Sequence, residues 1–198
     1  EGEAIRGERR IIKTEAEVVR RIFRDFASGV APRAIAKALN DASVPGPSGR
    51  LWNDTTIRGH AKRGTGIVNN ELYVGRLVWN RQRYLKDPSP GRRVSRLNAE
   101  SEWIVTEVPE LRIVDDALWQ AVRARQTEIT ETHADLIEAV REHHAGNRFN
   151  RLHRPKALFS GLIFCGSCGG PYSIRGQDRY ACSAHVTNGS CDNKASIP

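Results

Sequence analysis

The sequence predicts an α+β fold, in which a mostly helical domain with a β-hairpin or small sheet precedes a small cysteine-rich domain. Three observations predict this fold. Apolar residues recur at helical spacing in the first sixty residues, two later segments alternate like paired strands, and all four cysteines lie in the last thirty-four residues. We place the first domain at residues 1–145, a basic linker at 146–157 and the small domain at 158–198.

The first predicted helix begins at Thr14. The pattern Thr14-x-x-Glu17 is that of a capping box, in which a hydroxyl and a carboxylate satisfy amides of the first helical turn. Gly29 provides a stop. One face of this helix is apolar and carries Val18, Val19, Ile22, Phe23 and Phe26.

A second helix is predicted from Pro32 to Asn40-Asp41, because the missing amide of proline costs nothing at a helix start. Its buried face carries Ile35, Ala38 and Leu39. The prolines and glycines of residues 44–49 then exclude a helix, and Trp52 is expected to anchor the returning chain.

A third helix is predicted after Asn53 or Asp54, either of which could cap it. Its outer face is basic and rich in hydroxyls, with Thr55, Thr56, Arg58, His60, Lys62 and Arg63 around Ile57 and Ala61. Two packed helices followed by such a helix resemble a helix-turn-helix with a lengthened turn. We therefore expect Arg58, Lys62 and Arg63 to contact DNA, and a solvated helix face is the alternative.

A strand pair is predicted next, with residues 72–81 and 102–108 as its arms. The segment between them is predicted as a loop rich in proline, glycine and cations. Its cations are Arg81, Arg83, Lys86, Arg92, Arg93 and Arg96. These cations suit contact with DNA phosphates, and we name Arg81 and Arg83 as DNA-binding residues. A mobile solvated loop is an equally good interpretation of this segment.

A long helical segment follows Asp115, which is expected to cap it. Leu118, Trp119 and Val122 form its predicted buried face. Residues 117–145 contain no glycine or proline, so the segment is either one long helix or two helices with a break near Thr130. The adjacent pair His143-His144 suits a C-terminal cap better than a metal site, since neighbouring helical residues point about 100° apart.

The charge is arranged in blocks. The net charge is +8, while residues 31–96 carry +9, residues 97–145 carry −7 and residues 146–198 carry +5. Two basic blocks around an acidic one are typical of two nucleic-acid contacts on a structural connector. The basic linker holds Arg148, Arg151, Arg154 and Lys156, which suit a DNA minor groove as well as they suit a plain tether.

The four cysteines have the spacing of a metal site. They are Cys165, Cys168, Cys182 and Cys191. Glycines around the first pair let backbone amides turn toward the thiolates, and residues 171–175 and 179–182 can form a hairpin with a turn at 176–178. Four thiolates give the closed tetrahedral site of a zinc ribbon, with one structural Zn²⁺.

Other interpretations of the cysteines are weaker. Two disulfides would need an oxidising compartment, and the N-terminal residues show no apolar signal segment. A redox Cys-x-x-Cys usually opens a helix, whereas Cys165 and Cys168 lie among glycines. His185, three residues after Cys182, could replace one thiolate as a ligand.

The order of several motifs resembles the C-terminal half of the large serine recombinases, a family that includes phage integrases and transposon or cassette-chromosome recombinases. These motifs are Glu15-x-x-Val18-Val19-Arg-x-Ile22-Phe23, Gly29 with Ile35-Ala36-x-x-Leu39-Asn40, Trp52, Asn70-x-x-Tyr73-x-Gly75, Pro109 with Trp119, and Leu158-x-x-Gly161-Leu162-x-x-Cys165. The resemblance implies a recombinase domain followed by a zinc-ribbon domain, both of which bind one half of an attachment site in double-stranded DNA.

The resemblance also implies that the catalytic domain of the family is absent from these residues. The family's nucleophilic serine belongs to a domain that would precede Glu1, so we expect this chain, which has no methionine, to be a piece that binds DNA without cutting it. Ala31 departs from the family's usual serine cap, residues 127–145 look expanded, and the chain stops at Pro198, before the family's coiled-coil arm.

The expected partners follow from this assignment. We expect a monomer off DNA, and for the intact protein a dimer on each site and a tetramer in synapsis, in the bacterial cytoplasm and without a membrane partner. In the expected binding mode, Arg175, Gln177 and Arg179 of the ribbon hairpin enter a major groove. The alternatives are a transcriptional regulator without recombinase activity and a module that contacts RNA or protein.

Overall fold

The computed structural model describes residues 9–86, 93–136, 138–139, 159–175 and 179–198. Its helices are α1 Lys13–Ala27, α2 Pro32–Asp41, α3 Asp54–Arg58, α4 Asp116–Thr132 and α5 Ser183–Thr187. Its strands are β1 Arg76–Trp79, β2 Gln82–Lys86, β3 Arg93–Leu97, β4 Ile104–Glu107, β5 Tyr172–Arg175, β6 Arg179–Cys182 and β7 Ser196–Ile197. Helices and small antiparallel sheets occur together, so the predicted α+β fold is confirmed.

The chain groups into two compact units, each made of two segments. The first unit consists of Glu1–Ser28 and Thr55–Val122, and the second consists of Gly29–Asp54 and Arg123–Pro198. The linker expected at residues 146–157 lies outside the described residues, as does the pair His143-His144. The domain limits that we derived from the sequence therefore stay a prediction.

Helix α1 provides the apolar centre of the first unit. Ile22 and Phe23 are fully buried, and the Phe23 ring stacks on Trp119 with 5.9 Å between centroids and meets Tyr73 edge-on at 6.2 Å. The Nε–H of Arg20 donates to the carbonyl of Ile113 at 2.8 Å. The predicted apolar face is confirmed at these positions, because helical spacing brings them to one side of α1.

The predicted capping box is wrong. Helix α1 begins at Lys13, one residue before Thr14, so the Thr14 hydroxyl lies inside the first turn instead of in front of it. The cap residue is Ile12, which makes no side-chain cap hydrogen bond. The predicted stop is confirmed, since α1 ends at Ala27 and Gly29 has a φ of +105°.

Helix α2 and the segment after it belong to the second unit. Pro32 occupies the first turn as predicted, but the third buried residue of α2 is Ala36, whereas Ala38 is exposed. Trp52 is buried, its indole N–H donates to the carbonyl of Val44 at 3.1 Å, and Asn40 holds its backbone through two hydrogen bonds of 2.8 and 2.9 Å. The expected anchoring role of Trp52 is therefore confirmed.

The third helix is much shorter than predicted. Helix α3 ends at Arg58 after five residues, and Gly59 takes a left-handed backbone conformation with a φ of +49°. A Cβ at Gly59 would lie 1.8 Å from the carbonyl oxygen of Thr65, because the chain returns close to itself there. The prediction of one helix through Arg63 is therefore wrong. Lys62 and Arg63 lie instead in a short 3₁₀ turn, Ala61–Arg63.

Two antiparallel strand pairs complete the first unit. Strand β1 pairs with β4, with Trp79 opposite Ile104, as the alternating pattern predicted. The sequence between them does not form a plain loop, since β2 and β3 pair as a hairpin that we name the basic hairpin. The loop prediction is wrong for residues 82–86 and 93–97, while residues 87–92 lie outside the described part of the chain.

Helix α4 begins as predicted. The carboxylate of Asp115 accepts a hydrogen bond from the amide of Leu118 at 2.8 Å, which caps the first turn. Trp119 and Val122 are buried. The helix ends at Thr132 and a turn follows at His133, so the alternative with a break near Thr130 is the one observed.

Candidate metal centre and nucleic-acid interface

A tight backbone turn builds the cysteine knuckle. The amide of Cys165 donates to the carbonyl of Gly170 at 2.8 Å, and the amide of Gly169 donates back to the carbonyl of Cys165 at 2.8 Å. Gly169 has a φ of +68°, which glycine adopts without a steric penalty. The turn therefore brings Cys165 and Cys168 to one site, as the glycine spacing predicted.

The four thiols converge at this knuckle. All four sulfurs lie within 4.8 Å of one another, with 3.8 Å between Cys165 and Cys191 and 3.6 Å between Cys168 and Cys182. Zinc–thiolate bonds of about 2.3 Å place neighbouring sulfurs of a tetrahedral site about 3.8 Å apart. The observed spacing therefore fits a Zn²⁺ ion held by four thiolates.

Asn193 lies directly behind the thiol cluster. Its carboxamide N–H group donates to the sulfur of Cys165 at 3.2 Å and to the hydroxyl of Tyr172 at 3.0 Å, and its backbone amide donates to the sulfur of Cys191 at 3.5 Å. The Asn193 carboxamide, followed by the backbone amide of Cys168, lowers the pKa of the Cys165 thiol to about 6. Such donors favour the thiolate form that a metal requires.

His185 lies outside the sulfur cluster. Its Nδ1 lies 2.6 Å from the carbonyl oxygen of Cys191, and its Nε2 lies 3.2 Å from the guanidinium of Arg33. Nδ1 therefore donates its proton to a backbone carbonyl. With the four sulfurs already grouped, His185 supports the loop before Cys191 and does not take a thiolate's place.

The sheet of the zinc-ribbon region presents two cations at its end. Strands β5 and β6 pair with Tyr172 opposite Cys182, and the same register sets Arg175 opposite Arg179. Both arginines are exposed. The predicted hairpin is confirmed in its two arms, while its turn with Gln177 lies outside the described residues.

The short loop after α3 carries the first group of predicted contacts, and we name residues 58–64 the basic loop. Buried Asn69 closes it, because its carboxamide donates to the carbonyl of Arg58 at 2.7 Å and to that of Thr65 at 2.8 Å. The side chains of Arg58, Lys62 and Arg63 are exposed. The predicted cations are therefore all exposed, although a closed loop presents them in place of a helix.

The basic hairpin projects from a fixed base. Buried Asn98 donates to the carbonyl of Asn80 at 2.8 Å, and the indole N–H of Trp103 donates to the carbonyl of Asn98 at 3.3 Å. Further out, Tyr84 and Leu85 are 65% and 49% exposed, so both faces of the hairpin meet solvent. Isolated two-stranded hairpins are marginally stable in water. A bound partner would therefore be expected to stabilise the outer part of the basic hairpin.

Cations face each other across the basic hairpin. Arg83 lies opposite Arg96, and Lys86 lies opposite Arg93. Within the described residues none of these four side chains forms an ion pair. The sequence placed all four in the segment that suits phosphate contact, and of these it named Arg83 as a DNA-binding residue. What the sequence did not predict is the strand pairing that sets them opposite one another.

Arg81 is placed differently from Arg83. Its guanidinium pairs with the carboxylate of Glu71 and lies 4.5 Å from the ring centroid of Trp103, and its side chain is only 12% exposed. Arg81 therefore fixes the base of the basic hairpin, whereas Arg83 is free to contact a partner. The predicted contacts Arg148, Arg151, Arg154 and Lys156 lie outside the described residues.

Comparisons with known families agree with this arrangement. The family model described as Recombinase matches residues 13–128, and the one described as Recombinase zinc beta ribbon domain matches residues 158–198. The searches of curated proteins and of solved structures gave no match. Among the described residues, no helix is both long enough and apolar enough to cross a membrane.

Proposed function

Since the chain belongs to the recombinase family, we propose that it binds one half of an attachment site in duplex DNA and positions a site-specific recombinase there. Membership of this family implies DNA binding. The more specific statement, recognition of one half-site by two DNA-binding elements, is our proposal. The cations of the basic loop, the basic hairpin and the ribbon hairpin would carry this recognition.

One observation carries the proposal, namely the opposed cations of the two hairpins. Arg83 faces Arg96 in the first unit, and Arg175 faces Arg179 in the second. Like charges at directly opposed strand positions destabilise a hairpin by roughly 0.2–1 kcal/mol. A protein gains nothing from such pairs on its own, whereas a polyanion between or beside them neutralises the repulsion and adds attraction. Nucleic acid is the polyanion that recombination acts on.

The contacts divide into two kinds. Arginines that reach base edges in a major groove contribute about 1–3 kcal/mol of discrimination each, while cations on phosphates give affinity without sequence preference. We assign base contact to Arg175, Gln177 and Arg179 of the ribbon hairpin and groove contact to the basic loop. The linker, through Arg148, Arg151, Arg154 and Lys156, would follow the neighbouring minor groove.

Zinc has a structural role in this proposal. A site of four thiolates leaves no open coordination position for a substrate, so the metal fixes the ribbon hairpin and takes no part in chemistry. We propose one Zn²⁺ for each chain. Metal analysis of the purified protein should give about one equivalent, and a value near zero would contradict this assignment.

We also propose that these residues bind DNA without cleaving it. The chain should be a monomer off DNA, and the intact recombinase should form a dimer on each site and a tetramer in synapsis. Sedimentation of this chain alone tests the first statement. Incubation with supercoiled plasmid tests for cleavage, and any nicked or linear product would contradict the proposal that these residues bind DNA without cleaving it.

A footprint on a candidate half-site is the decisive experiment. Hydroxyl-radical cleavage with increasing protein should show two protected stretches, one for each DNA-binding element. If roughly 6–10 phosphates are neutralised, affinity should fall about 10³- to 10⁵-fold between about 50 and 200 mM salt. Competition with structured RNA provides the control, since equal binding to DNA and RNA would contradict recognition of a DNA site.

A further inference from the structure

A recessed cavity of about 310 Å³ lies in the first unit, between the basic loop and strand β2. Four arginines line it, Arg9, Arg63, Arg76 and Arg81, and the acid among its lining residues is Glu71. Its volume is at the lower end of the range for ligand sites in proteins, which begins at about 300 Å³. An opening of this size and charge suits a small anion.

The floor of this cavity is fixed before any ligand arrives. Arg81 is held by the Glu71 carboxylate and by the ring of Trp103. Gly64 has a φ of +62°, and a Cβ at that position would lie 1.5 Å from Nη1 of Arg81. The absence of a side chain at Gly64 therefore lets the guanidinium reach the cavity, and a group fixed in this way loses little entropy on binding.

The cavity retains positive charge after its internal pairing. Glu71 serves both Arg81 and Arg76, the latter at 3.4 Å, and Arg76 also lies 3.7 Å from a carboxylate oxygen of Glu107. Among the described residues Arg9 and Arg63 have no acidic partner. Arginine binds phosphate oxygens through its planar fork of N–H groups, so these guanidinium groups match a phosphate monoanion.

We propose that this cavity binds a single backbone phosphate of the DNA, a contact that rests on the proposed function and refines it. The side-chain carboxamide of Gln82 donates to the backbone carbonyl of Arg63 at 3.3 Å, so the basic loop and the start of β2 are tied together at the cavity. A phosphate bound there contacts both elements at once. It therefore sets the register of the basic loop and the basic hairpin along the strand without reading sequence.

The test compares charge removal inside the cavity with the same change elsewhere. Arg63→Gln, alone and with Arg76→Gln, is matched with Arg24→Gln, which removes an exposed arginine from α1 outside the cavity. Loss of one phosphate contact reduces the slope of log K against log salt by about 1. We expect that reduction for Arg63→Gln on half-site and unrelated duplexes alike, and an unchanged slope for Arg24→Gln.

A second variant should change affinity in the opposite direction. Glu71→Gln keeps the size of the side chain and an oxygen that can accept a hydrogen bond from Arg81, but it removes the negative charge that competes with phosphate. DNA binding should therefore become tighter, and weaker binding would count against the cavity contact. Thermal unfolding of each variant identifies a loss of fold. Arg63→Gln remains decisive even if the double variant unfolds, because its exposed side chain makes no hydrogen bond among the described residues.

The outcomes separate this proposal from the proposed function. Absence of duplex binding by the unsubstituted chain overturns both. Duplex binding with equal slopes for Arg63→Gln and Arg24→Gln overturns the cavity contact alone. Inorganic phosphate is titrated while the Gly64 amide is followed by NMR; a shift there without a slope difference on DNA identifies a site for free phosphate and overturns the DNA contact.

Discussion

The first unit and the zinc-ribbon region are stabilised by different means. Ile22, Phe23 and Ile57 of the first unit are completely buried, and they belong to helices that pack through apolar side chains. The buried cluster of the ribbon is smaller and consists of Cys165, Tyr172, Tyr180, Cys182 and Cys191. Three of these five are thiols, which fits the proposal that metal coordination takes the place that an apolar core has in the first unit.

This difference has a physical cause. About forty residues cannot bury enough apolar surface to offset the conformational entropy of folding, and small domains therefore rely on metals or disulfides. In the proposed zinc site, four thiolate bonds to the metal would keep the hairpin rigid with few buried side chains. The first unit, with its larger core, can carry exposed and mutually repelling hairpin strands without losing its fold.

The largest effect should follow removal of zinc. Structural Zn²⁺ contributes apparent free energies of about 10–16 kcal/mol in zinc-finger peptides, so chelation or Cys182→Ser should unfold the ribbon completely. Cys182 is fully buried, and serine is a poor zinc ligand. Hydrogen exchange should show lost protection in residues 159–198 and retained protection in α1. Loss of protection in both regions at once would contradict their independence.

The next effect concerns the core of the first unit. Phe23→Ala removes a ring that contacts Tyr73 and Trp119, and such truncations cost about 3–5 kcal/mol. Unfolding in urea should show this loss, with Phe23→Leu giving a smaller one. The ribbon should keep its zinc, measured as metal released to a colorimetric chelator. Release of zinc together with unfolding of α1 would show that the two regions depend on each other.

The sequence predicted elements that depend on local pattern. Helix α1, the anchoring of Trp52 and the cap at Asp115 follow from periodicity or from single side chains with one dominant role. The cysteine spacing predicted the thiol cluster because a metal site needs specific residue types at few possible separations. Such signals can be recognised from residue types and their spacing along the chain, and they need no knowledge of contacts formed on folding.

The remaining features depend on contacts between distant residues. Helix α3 is cut short because Gly59 approaches Thr65 and Asn69 closes the turn, and neither contact is visible in helical periodicity. The basic hairpin depends on the pairing of β2 with β3 across residues 87–92. Asn193 supports the thiolates through a geometry that no spacing rule describes. Sequence patterns could not show these contacts because folding creates them.

A smaller effect should follow loss of the Asn193 donor. Asn193→Ala removes the hydrogen bond to the Cys165 sulfur, and supporting partners of this kind typically change metal affinity by about 10- to 100-fold. Competition with a chelator of known affinity measures the change, and Asp192→Asn, at the exposed neighbouring position, is the matched control. Equal zinc affinities for the two variants would show that the carboxamide only packs against Tyr172.

The smallest effect on stability should come from the basic hairpin of the first unit, where like charges lie at opposed strand positions. Replacing Arg83 and Arg96 by glutamine removes one opposed pair, so the unfolding free energy should rise by about 0.2–1 kcal/mol while DNA binding weakens. The same exchange at Arg175 and Arg179 should weaken DNA binding without changing zinc content. A gain in stability together with a loss of DNA binding identifies cations that serve binding. Removal of a cation that stabilised the fold would instead lower both the unfolding free energy and the DNA affinity. A loss of stability together with unchanged DNA binding would therefore reverse the assignment of these arginines.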